Sequence, residues 1–166
     1  SGVRPALIYI SFVTPTEQAG ECTAETKPKV SRDPATGDVT LSGASCQTAD
    51  LQLLLLTSTG KVIRKRIPNT TRAQVLATAL QFRNEVSDPS KTRTRSYLPT
   101  ATQLHRWMIE PLESDLKAAG IGTLVFILDS GLRGMPLAAL HNGQSFLVER
   151  YSLGLMPSLS LTDTRY

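Results

Sequence analysis

The chain has 166 residues, of which 40% are hydrophobic, 19% charged and 5% aromatic, with a net charge of +4. That length fits one domain, or one domain with a large excursion. No apolar run approaches the roughly 18 residues of a membrane span, and the scarcity of aromatics demands a core of Leu, Ile, Val and Ala. The charge is modest and partly local, in Lys61, Arg64, Lys65, Arg66 and again in Lys91, Arg93, Arg95. Neither cluster has interleaved aromatics or a nucleic-acid motif, so they read as a solvated strand edge and a solvated loop.

In chain order, residues 1–13 contain a predicted strand, Pro5 to Val13, rich in β-branched and aromatic residues. The same stretch lacks a basic start and a small-residue cleavage site, so a strand is expected rather than a secretory leader. Residues 14–49 change character to Thr, Pro, Gly, Ser and Ala, with turn signals at Asp33-Pro34 and Thr36-Gly-Asp38. A polar surface insertion is expected, with one short strand around Asp38 to Leu41. The two cysteines of the chain, Cys22 and Cys46, both lie in it. Their spacing matches no metal motif. They are expected to be free thiols in a cytoplasmic protein, or a disulfide closing the insertion in an extracytoplasmic one.

Residues 50–67 read as a β-hairpin, with a buried arm Asp50 to Thr57, a turn at Ser58-Thr-Gly60 and a return arm Lys61 to Ile67. Thr59-Gly60-Lys61 is no phosphate-binding loop. The motif needs glycine where Leu55 stands and a hydroxyl residue where Val62 stands.

Residues 70–119 hold two predicted helices. Thr71-Arg-Ala-Gln74 fits a capping box, and Val75, Leu76, Ala79, Leu80, Phe82 and Val86 supply an apolar stripe, stopped by Asp88-Pro89. The second helix opens near Pro99, with Thr100 and Gln103 as a second candidate box. Leu104, Trp107, Met108, Leu112 and Leu116 share one face, and Pro111 should kink or restart the helix.

Residues 122–166 begin a parallel α/β core. The apolar run Thr123 to Leu128 ends in Asp129 and a glycine turn. Phe146 to Gly154 reads as a further strand or hairpin arm, and Met156 to Leu161 as the opening of another helix.

Strand ends of this kind are where α/β proteins place sites, which makes Asp129 and Arg133 the best polar pair across a turn. Asp129 accepting backbone N–H groups of its own turn is the structural alternative. An edge position on a specificity pocket is the functional one. Histidine is the commonest general base, and the chain has two. His105 neighbours the apolar helix face and reads as half-buried and structural. His141, in His-Asn-Gly143, reads as a loop residue. No Gly-x-Ser-x-Gly elbow occurs, and the residues offer no self-sufficient active site, metal site or cofactor site.

The run Leu124-Val-Phe-Ile-Leu-Asp-Ser-Gly-Leu-Arg-Gly-Met-Pro-Leu-Ala-Ala-Leu-His-Asn-Gly143 resembles the segment that opens the core of CHAT domains. These caspase-like domains are often joined to tetratricopeptide repeats and are common in cyanobacteria. Phe146 to Tyr151, Leu155 to Leu161, Pro5 to Tyr9, the 50–67 hairpin and the helix with Arg106, Trp107, Pro111 and Leu112 share the resemblance. Outside it lies the 14–49 insertion.

The resemblance implies a caspase-like α/β/α sandwich with mainly parallel core strands, preceded by a hairpin and two helices. It also implies the chemistry of clan CD cysteine peptidases: a Cys thiolate, a His base and backbone N–H groups as oxyanion hole. In the family both catalytic residues follow the Pro-Ser-Leu-Ser segment. The chain ends before either position, so neither role carries over to His105, His141, Cys22 or Cys46.

The expectation is therefore the amino-terminal part of a CHAT domain, inactive alone. It needs no cofactor and packs against the rest of the domain or another chain, with tetratricopeptide repeats in the parent protein and no membrane partner. A non-catalytic interaction or regulatory module is the alternative, and a weak anion or nucleic-acid binder the third.

Overall fold

A computed structural model of the chain describes residues 4–13, 29–32, 39–42, 49–91 and 93–157, the 29–32 and 39–42 pieces as backbone only. Seven strands and four short-to-medium helices follow in order: β1 (Pro5–Val13), β2 (Lys29–Arg32), β3 (Val39–Ser42), β4 (Asp50–Thr57), β5 (Val62–Thr71), α1 (Arg72–Ser87), α2 (Leu98–Met108), α3 (Glu113–Ala118), β6 (Thr123–Leu128), α4 (Leu147–Arg150) and β7 (Ser152–Met156). The expected short strand near Asp38 to Leu41 is β3, paired antiparallel with β2. Cys22, Cys46 and residues 158–161 of the predicted helix lie outside the described residues, while Met156, its expected first residue, ends β7 instead.

Five strands form one sheet in the order β5-β4-β1-β6-β7. β1 pairs in parallel with β6, and β6 with β7, while the β4–β5 hairpin adds antiparallel to the free side of β1. The α/β class and the parallel core read from the sequence both hold. The hairpin turns at Gly60, whose φ of +81° favours a residue without a side chain.

Period-two alternation decides which side of the sheet is core. Ala6, Ile8, Ile10 and Phe12 of β1, Leu51, Leu53 and Leu55 of β4, and Leu124, Phe126 and Leu128 of β6 all point one way and are buried. They belong to a single hydrophobic cluster with Val75, Ala79 and Phe82 of α1 and Leu104, Met108, Leu112 and Leu116 of the α2–α3 segment. All the helices therefore cover one face. The described residues make two layers of the expected sandwich, a sheet and one helical layer. Leu7, Leu54, Leu56 and Val125 alternate onto the other face, where they are half-buried and outside that cluster.

Local signals set the helix ends. At α1 the Thr71 hydroxyl accepts from the Gln74 N–H and the Gln74 side chain accepts from the Thr71 N–H, the predicted reciprocal cap. Leu80 and Val86 were expected on the apolar stripe but are 59% and 42% exposed, because the core-facing arc of α1 is narrow. The second box does not form: the Thr100 hydroxyl donates to the Tyr97 carbonyl at 2.9 Å. Pro111 restarts the helix as expected, with a single 3-10 turn at Glu110–Leu112 between α2 and α3.

One element differs in kind. The sequence suggests a strand over Phe146 to Gly154, but the chain makes α4 first and enters β7 only at Ser152. A His141–Phe146 bridge and the bond from Leu147 N–H to Leu140 O hold the start of this turn back over the core. The Phe146 N–H donates to the Glu149 carboxylate at 2.6 Å and caps it.

Candidate functional site

Two places concentrate polar chemistry, at opposite ends of the parallel strands. The first is the carboxyl end of β1 and β6. Asp129 leaves β6 with its N–H donated to Ile10 O at 3.2 Å, which ties the turn to β1. Its Oδ1 accepts from the Gly131 N–H at 3.0 Å, the turn-capping contact of an Asp at a strand end.

The same oxygen accepts from Arg72 Nη2 at 3.0 Å. Arg72 opens α1, and its guanidinium lies 5.7 Å from the centre of the Phe12 ring. The two side chains are only 15% and 7% exposed, so the ion pair is largely removed from water. Arg133 points elsewhere and donates from Nη2 to Pro157 O at 3.3 Å, beside a small 130 Å³ hollow with Leu155 and Met156. The predicted candidates Asp129 and Arg133 thus sit on one turn with separate partners. Arg72 was not legible as a site residue, because its partner is far away in sequence and its local signal is only that of a helix start.

The second place lies toward the amino-terminal ends of β6 and β7. There a polar depression of about 700 Å³ opens between α2, α3 and the 142–150 segment. His105 lies in its wall, 3% exposed, with a buried Nε2 that has no hydrogen-bond partner. That nitrogen is 3.7 Å from Glu113 Oε1, too far for a hydrogen bond.

Glu113 Oε1 is already taken by Arg150 Nη1 at 2.7 Å. Burial is the largest influence on His105 and holds its imidazole below the ordinary value of 6.5; the negative charge of Glu113 opposes that shift. The sequence reading placed His105 on the helix face but not as fully buried. His141 is a loop residue. Its Nδ1 accepts from the Gly143 N–H at 2.9 Å, and its ring meets Phe146 edge-on at 4.9 Å.

The basic stripe on β5 is partly neutralised. Arg66 donates twice to Asp50, and Lys65 and Lys61 lie 3.3 and 3.9 Å from the Asp115 carboxylate on α3. Among the described residues no group of three or more His, Cys, Asp or Glu is placed to hold a metal ion. No helix of the described residues is long and apolar enough to cross a membrane.

In comparison with known proteins, the family model of the CHAT domain matches residues 98–166. Comparison with curated proteins and with solved structures gave no match. The matched stretch starts at α2, includes the Asp129 turn and the parallel β6–β7 pair, and takes in both histidines. The match covers less than half of the chain, and over those residues, from α2 onward, the sequence is similar to CHAT domains.

Proposed function

We propose that this chain is the amino-terminal, scaffolding portion of a caspase-like CHAT domain of the cysteine-peptidase type and does not cleave peptides by itself. Its parallel strands form the frame on which such a domain sets a His and a Cys, and none of His105, His141, Cys22 and Cys46 stands in a sequence motif that matches either role.

The observation that carries this reading is the asymmetry of the sheet. One face is sealed by helices, while Leu7, Leu54, Leu56 and Val125 leave the other partly accessible and apolar. β7 ends the sheet and has no further strand beyond it among the described residues. An open strand edge beside an apolar face calls for a partner that extends the sheet and covers it. The strand-end corner supports the same reading, since Asp129 is spent on a turn and an ion pair rather than on a nucleophile.

The test is hydrolysis of a fluorogenic peptide library, by the chain alone and after co-expression with a CHAT carboxyl-terminal segment that carries the His and Cys. No turnover alone and turnover in the complex is the expected result. Thiol-dependent turnover by the chain alone would refute the proposal.

The apolar face also favours a second reading, a non-catalytic interaction module. In that case the complex forms but stays inactive even with both catalytic residues present. Partial neutralisation of the β5 stripe by Asp50 and Asp115 speaks against a nucleic-acid surface.

A further inference from the structure

The depression beside His105 has no role in the reading above. Its lining is almost wholly polar and its charges do not balance. Arg106, Lys117 and Arg150 stand against Glu110 and Glu113. Glu113 is paired with Arg150 at 2.7 Å, and Glu110 with Arg106 at the outer limit of 4.0 Å. Lys117 has no carboxylate partner among the described residues. The amides of Asn142 and Gln144 and the Ser145 hydroxyl complete the rim from the third side.

We propose that this depression binds the oxyanion group of a small polar molecule, a tetrahedral phosphate or sulfate held by Lys117 and Arg150 and gated by His105 through Glu113. Cations from α3 and α4 and hydrogen-bonding groups from the 142–145 loop approach from different elements, which suits an anion with oxygens on several sides. At 700 Å³ the space exceeds what the oxyanion alone fills, and the polar walls suit a hydroxyl-rich remainder better than an apolar one.

The gate follows from the shared oxygen. With His105 neutral, Glu113 Oε1 is satisfied by Arg150. When His105 gains a proton, its Nε2–H becomes a charged donor 3.7 Å from that oxygen and competes for it. Arg150 is then freer to turn its N–H groups to an incoming anion. The other charges that face His105 are Glu110, which favours the proton, and Arg150 and His141, which oppose it. Arg106 and Lys117 line the same wall. Anion binding should therefore draw a proton onto His105 and tighten as pH falls.

Sulfate is the probe, because it stays a dianion across the range where His105 titrates. Titration of the chain at constant ionic strength, followed by amide NMR shifts and calorimetry, should give a saturable site with shifts at His105, Lys117, Ser145 and Arg150. Affinity should rise from pH 7.5 to pH 6.

Lys117→Gln should weaken sulfate by about tenfold or more, the effect of losing one charge-assisted hydrogen bond. Lys61→Gln, just before β5 and outside the depression, should not. A phosphosugar should compete with sulfate at the same residues. His105→Gln should bind with no pH dependence over the same range. If that variant does not fold, Lys117→Gln alone decides. Equal affinity in wild type and Lys117→Gln, loss of binding in Lys61→Gln, or shifts reproduced by chloride at the same ionic strength would each overturn the proposal.

Discussion

Arg72, the first residue of α1, and Asp129, the first residue after β6, are 57 positions apart in sequence and share a 3.0 Å ion pair beneath the Phe12 ring. The pair locks the start of a helix to the end of a parallel strand. Coulomb attraction at this depth is weakly screened by solvent, but each charge also pays to leave water, so the pair matters most when one member is removed.

Asp129→Asn keeps an acceptor for the Gly131 N–H and leaves Arg72 buried without its counter-charge. It should destabilise the fold by roughly 3–5 kcal/mol. Arg72→Met, which keeps the stem against Phe12, should cost less, and the double variant less than the sum of the two. Urea unfolding of the three variants gives the coupling directly. Additive effects would show that the two side chains do not act as a pair.

His105 makes stability depend on pH. Its folded-state affinity for protons is held below the ordinary 6.5, mainly by burial. The unfolded chain therefore binds more protons than the folded one in the acidic range, and stability rises with pH there. The stabilisation is fully present above about pH 6.5 and is lost as pH falls toward the depressed folded value. Thermal melts between pH 8 and pH 5 should show this slope in wild type and a flatter one in His105→Gln. An unchanged slope would place the pH dependence on other groups.

The α1 cap is a local device with a local cost. Thr71→Ala removes the hydroxyl that accepts from the Gln74 N–H and should cost about 1 kcal/mol. Thr71→Ser should recover most of it. Denaturant midpoints measure both, and a Ser variant as weak as the Ala variant would argue that the methyl group of Thr71 matters instead.

Orientation of the helical layer is testable with two leucines. Leu104 is fully buried and Leu80 is 59% exposed, although both fall on predicted apolar stripes. Leu104→Ala should cost about 2–5 kcal/mol, and Leu80→Ala should stay within about 0.5 kcal/mol. Comparable losses at both sites would mean that the outer side of α1 is covered by something else.

The turn at Gly60 tests backbone geometry by itself. At φ +81° a Cβ is strained even though none of its neighbours would touch it. Gly60→Ala should cost about 1–2 kcal/mol through backbone strain alone. Gly122→Ala, at an equally open position without positive φ, should be much milder in the same unfolding assay.

What the sequence determined by itself is what short-range physics determines. The β1 strand, the Thr71–Gln74 cap, the Gly60 hairpin and the restart at Pro111 each depend on residues a few positions apart, and each appears where the pattern put it; β4, expected as a wholly buried arm, instead alternates buried and half-buried residues. The order of segments also resembles the CHAT family, whose model matches residues 98–166.

Tertiary structure decided the rest. Leu147 to Arg150 became a helix because Leu140 and His141, not its own pattern, fix its entry. Leu80 and Val86 turned outward because only three positions of α1 are buried against the sheet. Asp129 found Arg72, and Glu113 found Arg150, across 57 and 37 positions. Pairings at that range arise only once the strands have set the end of the sheet at which each side chain emerges, and a local reading of the sequence carries no such term.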